Sequence, residues 1–151
     1  MVDTIDVLLH FIEENWTHAR QHENQRATLS NLVVIIAVAI CGAMTQTGFT
    51  SNALPFSLIL IALGLYGAIA SAKLYERSQY HINRARYLRA RLDELCPEAE
   101  ILQRKNDADK EHQKQYRLLA TKLDLHNVWL ALHIIILMIG LLFTIIILLK
   151  F

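Results

Sequence analysis

Arginine and tyrosine side chains recur together in one stretch of the chain. Arg77, Arg84 and Arg91 follow one another at seven-residue intervals. The same stretch contains two further arginines and two tyrosines, Arg86, Arg89, Tyr80 and Tyr87. Guanidinium groups bind phosphates and aromatic rings stack on bases, so the pattern predicts a site for an anionic nucleotide or oligonucleotide. A solvated or internally paired face and a contact with anionic lipid are the alternatives.

A second set of polar residues lies near the amino terminus. Glu14, His18 and His22 stand four residues apart, which places them on one face of a helix and makes a metal site conceivable. No fourth ligand accompanies them, so a solvated polar face is the stronger interpretation. Cys41 and Cys96 form neither a zinc pattern nor a disulfide framework. We therefore predict no metal and no cofactor.

Polar and small residues also interrupt the apolar parts of the chain. His133, Gly140 and Thr144 fall on one helical face, and Gln46 follows an apolar block. These four predict either the polar lining of a pore or hydrogen bonds between helices. Another set consists of small residues whose spacing allows helices to approach closely: Gly64, Gly67, Ala68 and Ser71. No carboxylate accompanies these residues and no nucleophile is paired with a base, so we predict that the protein is not an enzyme.

The elements that carry these residues are helices that cross a membrane. The 151 residues are 54% hydrophobic and only 19% charged, and the apolar ones are concentrated in three blocks. Each block lacks Asp, Glu, Lys and Arg, and a helix of about 20 such residues spans a bilayer core. The sequence thus predicts an all-α polytopic membrane protein and excludes a water-soluble enzyme. The predicted spans cover residues 29–47, 53–72 and 128–149.

Two polar segments accompany the spans. Residues 1–28 predict an amphipathic helix, and residues 73–127 predict a helical hairpin that is continuous with the second and third spans, as two helices over 53–95 and 98–149. The hairpin segment contains twelve Lys and Arg residues. Because such loops remain in the cytoplasm, both polar segments are predicted to be cytoplasmic and the C-terminus to lie outside.

Heptad spacing predicts how the two arms of the hairpin pack together. The first arm offers the seam Leu74, Ser78, His81, Ala85, Leu88, Leu92 and Leu95. The return arm offers Leu102, Lys105, Asp109, His112, Tyr116, Leu119, Leu123 and His126. Large apolar residues are missing from the return arm between residues 103 and 115, so its tip is predicted to be solvated, mobile or completed by a partner.

The layout of the chain resembles a known family. An amphipathic helix bearing Trp16, Arg20 and Arg26 leads into two closely spaced spans, and a basic helix follows with Tyr75-Glu76-Arg77 and Arg84-Ala85-Arg86-Tyr87. This order, over roughly residues 10–95, resembles the SLATT-domain membrane effectors of bacterial anti-phage and conflict systems, particularly those paired with a nucleotidyltransferase in Hailong-type defence. The resemblance implies an oligomeric pore in the bacterial inner membrane, controlled by a nucleotide-derived signal, whose opening kills or stalls the host cell.

The sequence therefore favours a homo-oligomeric ion channel, with a tetramer as the first expectation, gated by a cytosolic nucleotide or oligonucleotide. Three spans are too few to enclose a wide aqueous path, so conduction requires several copies. Two alternatives stay open. One is a non-conducting anchor or scaffold whose hairpin docks another protein, and the other is a holin-like or toxin-like pore without a ligand.

Overall fold

The computed structural model describes residues 3–117 and 124–150, and this part of the chain contains helices and no strand. The α-helices are α1 (Thr4–Thr47), α2 (Leu54–Leu95), α3 (Ile101–Gln115) and α4 (Leu125–Leu149). Two short 3-10 turns, Ser51–Ala53 and Pro97–Ala99, precede α2 and α3. Helices α1, α2 and α4 are long and apolar enough to cross a membrane. The prediction of an all-α membrane protein with three spans is confirmed.

Helix boundaries follow the few residues that interrupt helical geometry. The Asp3 carboxylate accepts a hydrogen bond from the backbone N–H of Ile5 at 3.2 Å and caps α1, as its position predicts. Gly48 follows α1 with a φ of 71°, a conformation that glycine adopts without steric cost. Between Thr4 and Cys41 the sequence has neither glycine nor proline. The amphipathic segment and the first span therefore form one helix, with no break near residue 28.

The chain folds as two compact units. The polar unit combines the start of the chain up to Glu23 with Tyr75–Leu125, and the apolar unit combines Asn24–Leu74 with the chain from His126 onwards. Helices α1 and α2 each contribute to both units. The compositional boundaries predicted near residues 28, 72 and 127 lie within five residues of the boundaries between the units.

In the apolar unit three helices pack around a narrow core. Its buried side chains are Val33, Ala37, Met44, Ala53, Leu60, Ile136 and Ile147. Large apolar side chains on the other helix faces are exposed, among them Ile35, Val38, Ile69, Ile135 and Leu142. Such side chains would be unfavourable in water but are stable in contact with lipid.

In the polar unit the beginning of α1 packs against the end of α2. Ser78, Ala85 and Leu92 of the predicted seam are buried. The Ser78 hydroxyl donates a hydrogen bond to the backbone oxygen of Ala19 at 3.3 Å, so α1 covers this part of the seam. At Ser78 the seam predicted on α2 thus packs against α1, a partner that heptad spacing alone did not identify. Ala19 of α1 is a small residue, which lets the two helices approach closely.

The return arm differs from its prediction in its helical continuity. Helix α3 ends at Gln115, where Tyr116 has a non-helical backbone with φ −117° and ψ 40°. The expected single helix over residues 98–149 is therefore wrong. Helix α3 buries no residue, so tertiary packing does not extend it. The predicted seam residues Leu119 and Leu123 lie outside the described residues.

Candidate functional site

The arginine and tyrosine residues between Arg77 and Arg91 lie on the end of α2 that belongs to the polar unit. We call them the basic face: Arg77, Tyr80, Arg84, Arg86, Tyr87, Arg89 and Arg91. All are exposed except Arg89, which is half-buried. The ring of Tyr87 is the most open, at 81% exposure. The structure therefore leaves most of the predicted ligand-binding residues accessible to a ligand.

Two arginines of the basic face contact Glu94 and Trp16. Arg91 forms an ion pair with Glu94, with 2.7 Å between the guanidinium nitrogen and the carboxylate oxygen. Arg89 lies with its guanidinium carbon 5.5 Å from the centroid of the Trp16 ring, a cation–π contact that joins α2 to α1. These contacts give Arg89 and Arg91 a structural role, which was one of the alternatives left open by the sequence.

The other three arginines form no ion pair with a carboxylate in residues 3–117 and 124–150, which include Glu13, Glu14 and Glu23. The guanidinium carbon of Arg84 lies 5.5 Å from the centroid of the Tyr80 ring. An Arg86 guanidinium nitrogen donates a hydrogen bond to Asn83 Oδ1 at 3.2 Å. Internal pairing with the acidic residues of α1 therefore does not account for Arg77, Arg84 and Arg86.

A shallow groove lies within the basic face. Asn83, Arg86, Tyr87 and Ala90 line it. Asn83 and Tyr87 are separated by one helical turn, and so are Arg86 and Ala90, so the four side chains border one surface of α2. The short side chain of Ala90 leaves room beside the guanidinium group and the phenol ring. The groove thus combines a cation, an amide and an open aromatic ring.

His18 and His22, for which a solvated polar face was the stronger interpretation, belong to a larger cluster in the polar unit. His81 of α2 lies against both of them, with ring centroids 5.0 Å from His18 and 5.6 Å from His22. Glu14 Oε1 lies 3.8 Å from His18 Nε2. The rings are stacked or tilted rather than converging on a point, and the described residues contain no preformed metal-binding group. Sequence reasoning assigned His81 to the seam and missed its contact with the other two histidines.

The His81 ring has a defined hydrogen bond and an altered acidity. His81 Nδ1 and Asn15 Oδ1 are 3.1 Å apart, and Asn15 Nδ2 donates to the backbone oxygen of Phe11 at 2.8 Å. Burial lowers the pKa of His81 below its ordinary value, and the neighbouring imidazoles and the guanidinium groups of Arg84 and Arg77 lower it further. The surroundings thus favour the neutral ring.

In the apolar unit the polar residues of the spans face one another. His133 is fully buried, and its Nε2 lies 3.0 Å from the Ser30 hydroxyl. Gly67 provides the space for this ring, because a Cβ at that position would lie 2.3 Å from His133 Nδ1. Ser71 is also fully buried, and Ala68 is half-buried. Of the two interpretations that the sequence left open for His133, the geometry favours a hydrogen bond between helices.

A second polar contact lies nearer the other end of the spans. The Thr144 hydroxyl donates to Ser57 Oγ at 2.9 Å. Gly140 lies against α2, since a Cβ there would be 2.8 Å from the backbone nitrogen of Ile61. Gln46 is exposed near the end of α1. Within one chain, therefore, the three α4 residues predicted as a polar face contact neighbouring helices, and only Gln46 is open.

The comparisons with known proteins add no relative from which a role could be transferred. The chain has no significant match to a family model, to a curated protein or to a solved structure. Any function must therefore be argued from the residues and contacts described above. The basic face is the surface whose accessible side chains offer the most specific chemistry.

Proposed function

We propose that this protein is an oligomeric membrane effector that conducts ions in response to an anionic nucleotide or oligonucleotide bound at its basic face. The observation that carries the proposal is that Arg77, Arg84 and Arg86 are exposed and form no ion pair with a carboxylate of the described chain. Arginines that form no ion pair within their own protein are available for phosphates.

The groove supplies the contacts that a nucleotide needs. The hydrogen bond to Asn83 restrains Arg86, which lowers the entropic cost of fixing its guanidinium group on a phosphate. The exposed ring of Tyr87 offers a platform on which a base can stack. A nucleotide or short single strand therefore matches this surface better than an inorganic anion, which would use the arginines alone.

Conduction would require several copies of the chain. The polar contacts of His133 with Ser30 and of Thr144 with Ser57 are made within one chain, so they leave no polar channel through a single protomer. We therefore propose a path between protomers of a cyclic homo-oligomer. Helix α2 carries both the basic face and a span without interruption, so a ligand that prefers one conformation of this helix can shift the equilibrium between closed and open forms.

The layout resemblance supports placing this activity in bacterial anti-phage defence, with a nucleotidyltransferase as the source of the signal. The membrane would then be the bacterial inner membrane, with the polar unit in the cytoplasm. Reporter fusions after Gly48 and Lys150 should report the outside, and a fusion near Asn106 should report the cytoplasm. An outside signal at Asn106 would refute a sensor for cytosolic ligands.

Binding is tested with purified full-length protein and a fluorescently labelled short single-stranded oligonucleotide. A Tyr87→Ala substitution should weaken binding by roughly five- to 150-fold, because stacking on one aromatic ring contributes about 1–3 kcal/mol. Arg84→Glu combined with Arg86→Glu should abolish binding, and the affinity of the native protein should fall steeply with salt. Arg104→Glu combined with Lys114→Glu, the same total change of charge placed on α3, is the control and should leave the affinity largely unchanged.

Conduction is tested by potassium efflux from liposomes that contain the full-length protein. We expect efflux to rise when the same oligonucleotide is added, and the doubly substituted arginine variant to lose this response. Binding without efflux would indicate a non-conducting scaffold. Efflux that is equal with and without the oligonucleotide would indicate a pore without a ligand.

A further inference from the structure

The cluster of three histidines in the polar unit is not used by the proposed ligand site. His18 and His22 come from α1 and His81 comes from α2, and their rings lie in contact across the packing surface of the two helices. All three side chains are half-buried. Histidine is the side chain whose ordinary acidity places its change of charge near neutral pH. A cluster of this kind at a helix–helix contact is therefore positioned to respond to protons.

We propose that this histidine cluster is a proton-sensitive clasp that holds α1 against α2 in the polar unit while the His81 ring is neutral and loosens when His81 takes up a proton. The inference is independent of nucleotide binding and of ion conduction. It concerns only the packing of residues up to Glu23 against the end of α2.

The hydrogen bonds around His81 define which ring nitrogen carries the proton in the neutral form. The amide of Asn15 has a fixed orientation, because its Nδ2 donates to the backbone oxygen of Phe11. Its Oδ1 therefore faces His81 and accepts the proton of Nδ1 at 3.1 Å. A neutral ring satisfies this arrangement fully. The extra proton of the imidazolium form gains no carboxylate partner, since His81 forms no ion pair within the described residues.

The charged groups around His81 oppose its protonation. From α1 it faces His18 and His22, and the Glu14 carboxylate contacts His18. From its own helix the guanidinium groups of Arg77 and Arg84 act on it. Because burial at the helix contact disfavours a charged His81 ring, and the imidazoles on α1 disfavour it further, proton uptake by His81 should separate the two helices.

The sign of the pH dependence follows from the lowered pKa of His81. A base whose pKa is lower in the folded protein than in the unfolded chain favours folding in its neutral form. Its contribution to stability is complete above about pH 6.5, the ordinary value for histidine, and is lost as the pH falls from there through the folded pKa. Acidification therefore loosens the clasp, and alkalinisation does not.

The test uses Trp16, which lies on the same part of α1, as a reporter. Replacing Trp129 with Phe leaves Trp16 as the sole tryptophan of the full-length protein. Quenching by acrylamide is measured in detergent between about pH 8 and pH 5, with EDTA present so that no metal ion holds the imidazoles deprotonated. We expect the quenching constant to increase in a single transition below about pH 6.5.

Three variants distinguish this clasp from a general effect of acid. His81→Asn keeps a donor for Asn15 but does not titrate, so its quenching should be independent of pH. His10→Asn alters an exposed histidine on α1 and should keep the native transition. If His81→Asn is already loosened at pH 8, His18→Gln with His22→Gln decides instead, because removing the two imidazoles that lower the pKa of His81 should move the midpoint to higher pH. A native protein without a transition, a transition that persists in His81→Asn, or an unmoved midpoint would overturn the proposal.

Discussion

Replacing Gly64 with alanine is the most direct test of the packing between α2 and α4 in the apolar unit. A Cβ at Gly64 would lie 2.5 Å from the backbone nitrogen of Leu137 and 2.8 Å from its Cα. Ordinary contacts of a Cβ begin at 3.4 Å, so one helix would have to move by about 0.9 Å. Two of the obstructing atoms belong to the backbone, so rotation of a side chain does not relieve the conflict.

The expected loss in the free energy of unfolding follows from the size of this displacement. A gap of 0.5–1 Å removes roughly a quarter to a half of the dispersion energy of each contact that it affects. Insertion of a methyl group into a packed interior costs about 1–3 kcal/mol. Because the clash involves backbone, we expect the upper part of this range for Gly64→Ala, about 2–3 kcal/mol. That corresponds to a roughly 30- to 150-fold change in the equilibrium between folded and unfolded forms.

The measurement is reversible unfolding in mixed micelles with an increasing fraction of denaturing detergent, followed by tryptophan fluorescence. Gly42→Ala is the matched control, because a Cβ at Gly42 on α1 has no atom within 4 Å. It should leave the free energy of unfolding unchanged or raise it by up to about 1 kcal/mol, because alanine is the better helix former. Equal stability of Gly64→Ala and the native protein, or an equal loss in both variants, would refute the described approach of α2 and α4.

Two further substitutions test single hydrogen bonds. Thr144→Val removes the donor to Ser57 and should lower the free energy of unfolding in micelles by about 0.6 kcal/mol, the average for such bonds between membrane helices. Asp93→Ala removes the carboxylate that accepts the backbone N–H of Leu102 at 3.2 Å. It should destabilise the start of α3 by about 1 kcal/mol, seen as roughly fivefold faster hydrogen exchange there, whereas Asp93→Asn, which keeps an acceptor, should retain part of the protection.

The sequence was sufficient to predict the helices and their approximate ends. Three blocks without charge predict three spans, because an unpaired charge in lipid is costly. Pro97 correctly predicts the turn after α2, since proline cannot continue a helix interior. The end of α3 at Gln115 has no comparable signal, because neither glycine nor proline lies near it.

The partners of the helices could not be predicted from periodicity. Heptad spacing identifies the side of α2 that is buried, including Ser78 and Ala85, but both the amphipathic start of α1 and the return arm could cover it. The choice depends on packing between segments that are more than 50 residues apart in sequence. For the same reason the contact of His81 with His18 and His22 is visible only in three dimensions.

The polar residues of the spans form hydrogen bonds within the chain, and this limits which residues can line the proposed channel. His133 and Thr144 are engaged with Ser30 and Ser57, so they cannot line a path between protomers unless these hydrogen bonds break. The remaining faces of the spans present large apolar side chains such as Val38. A narrow passage between such faces excludes water and ions by dewetting. The unliganded oligomer would therefore be closed by default, and the ligand would have to widen the passage or rotate the helices. A toxic effector needs this property, because its host must survive until the signal is made.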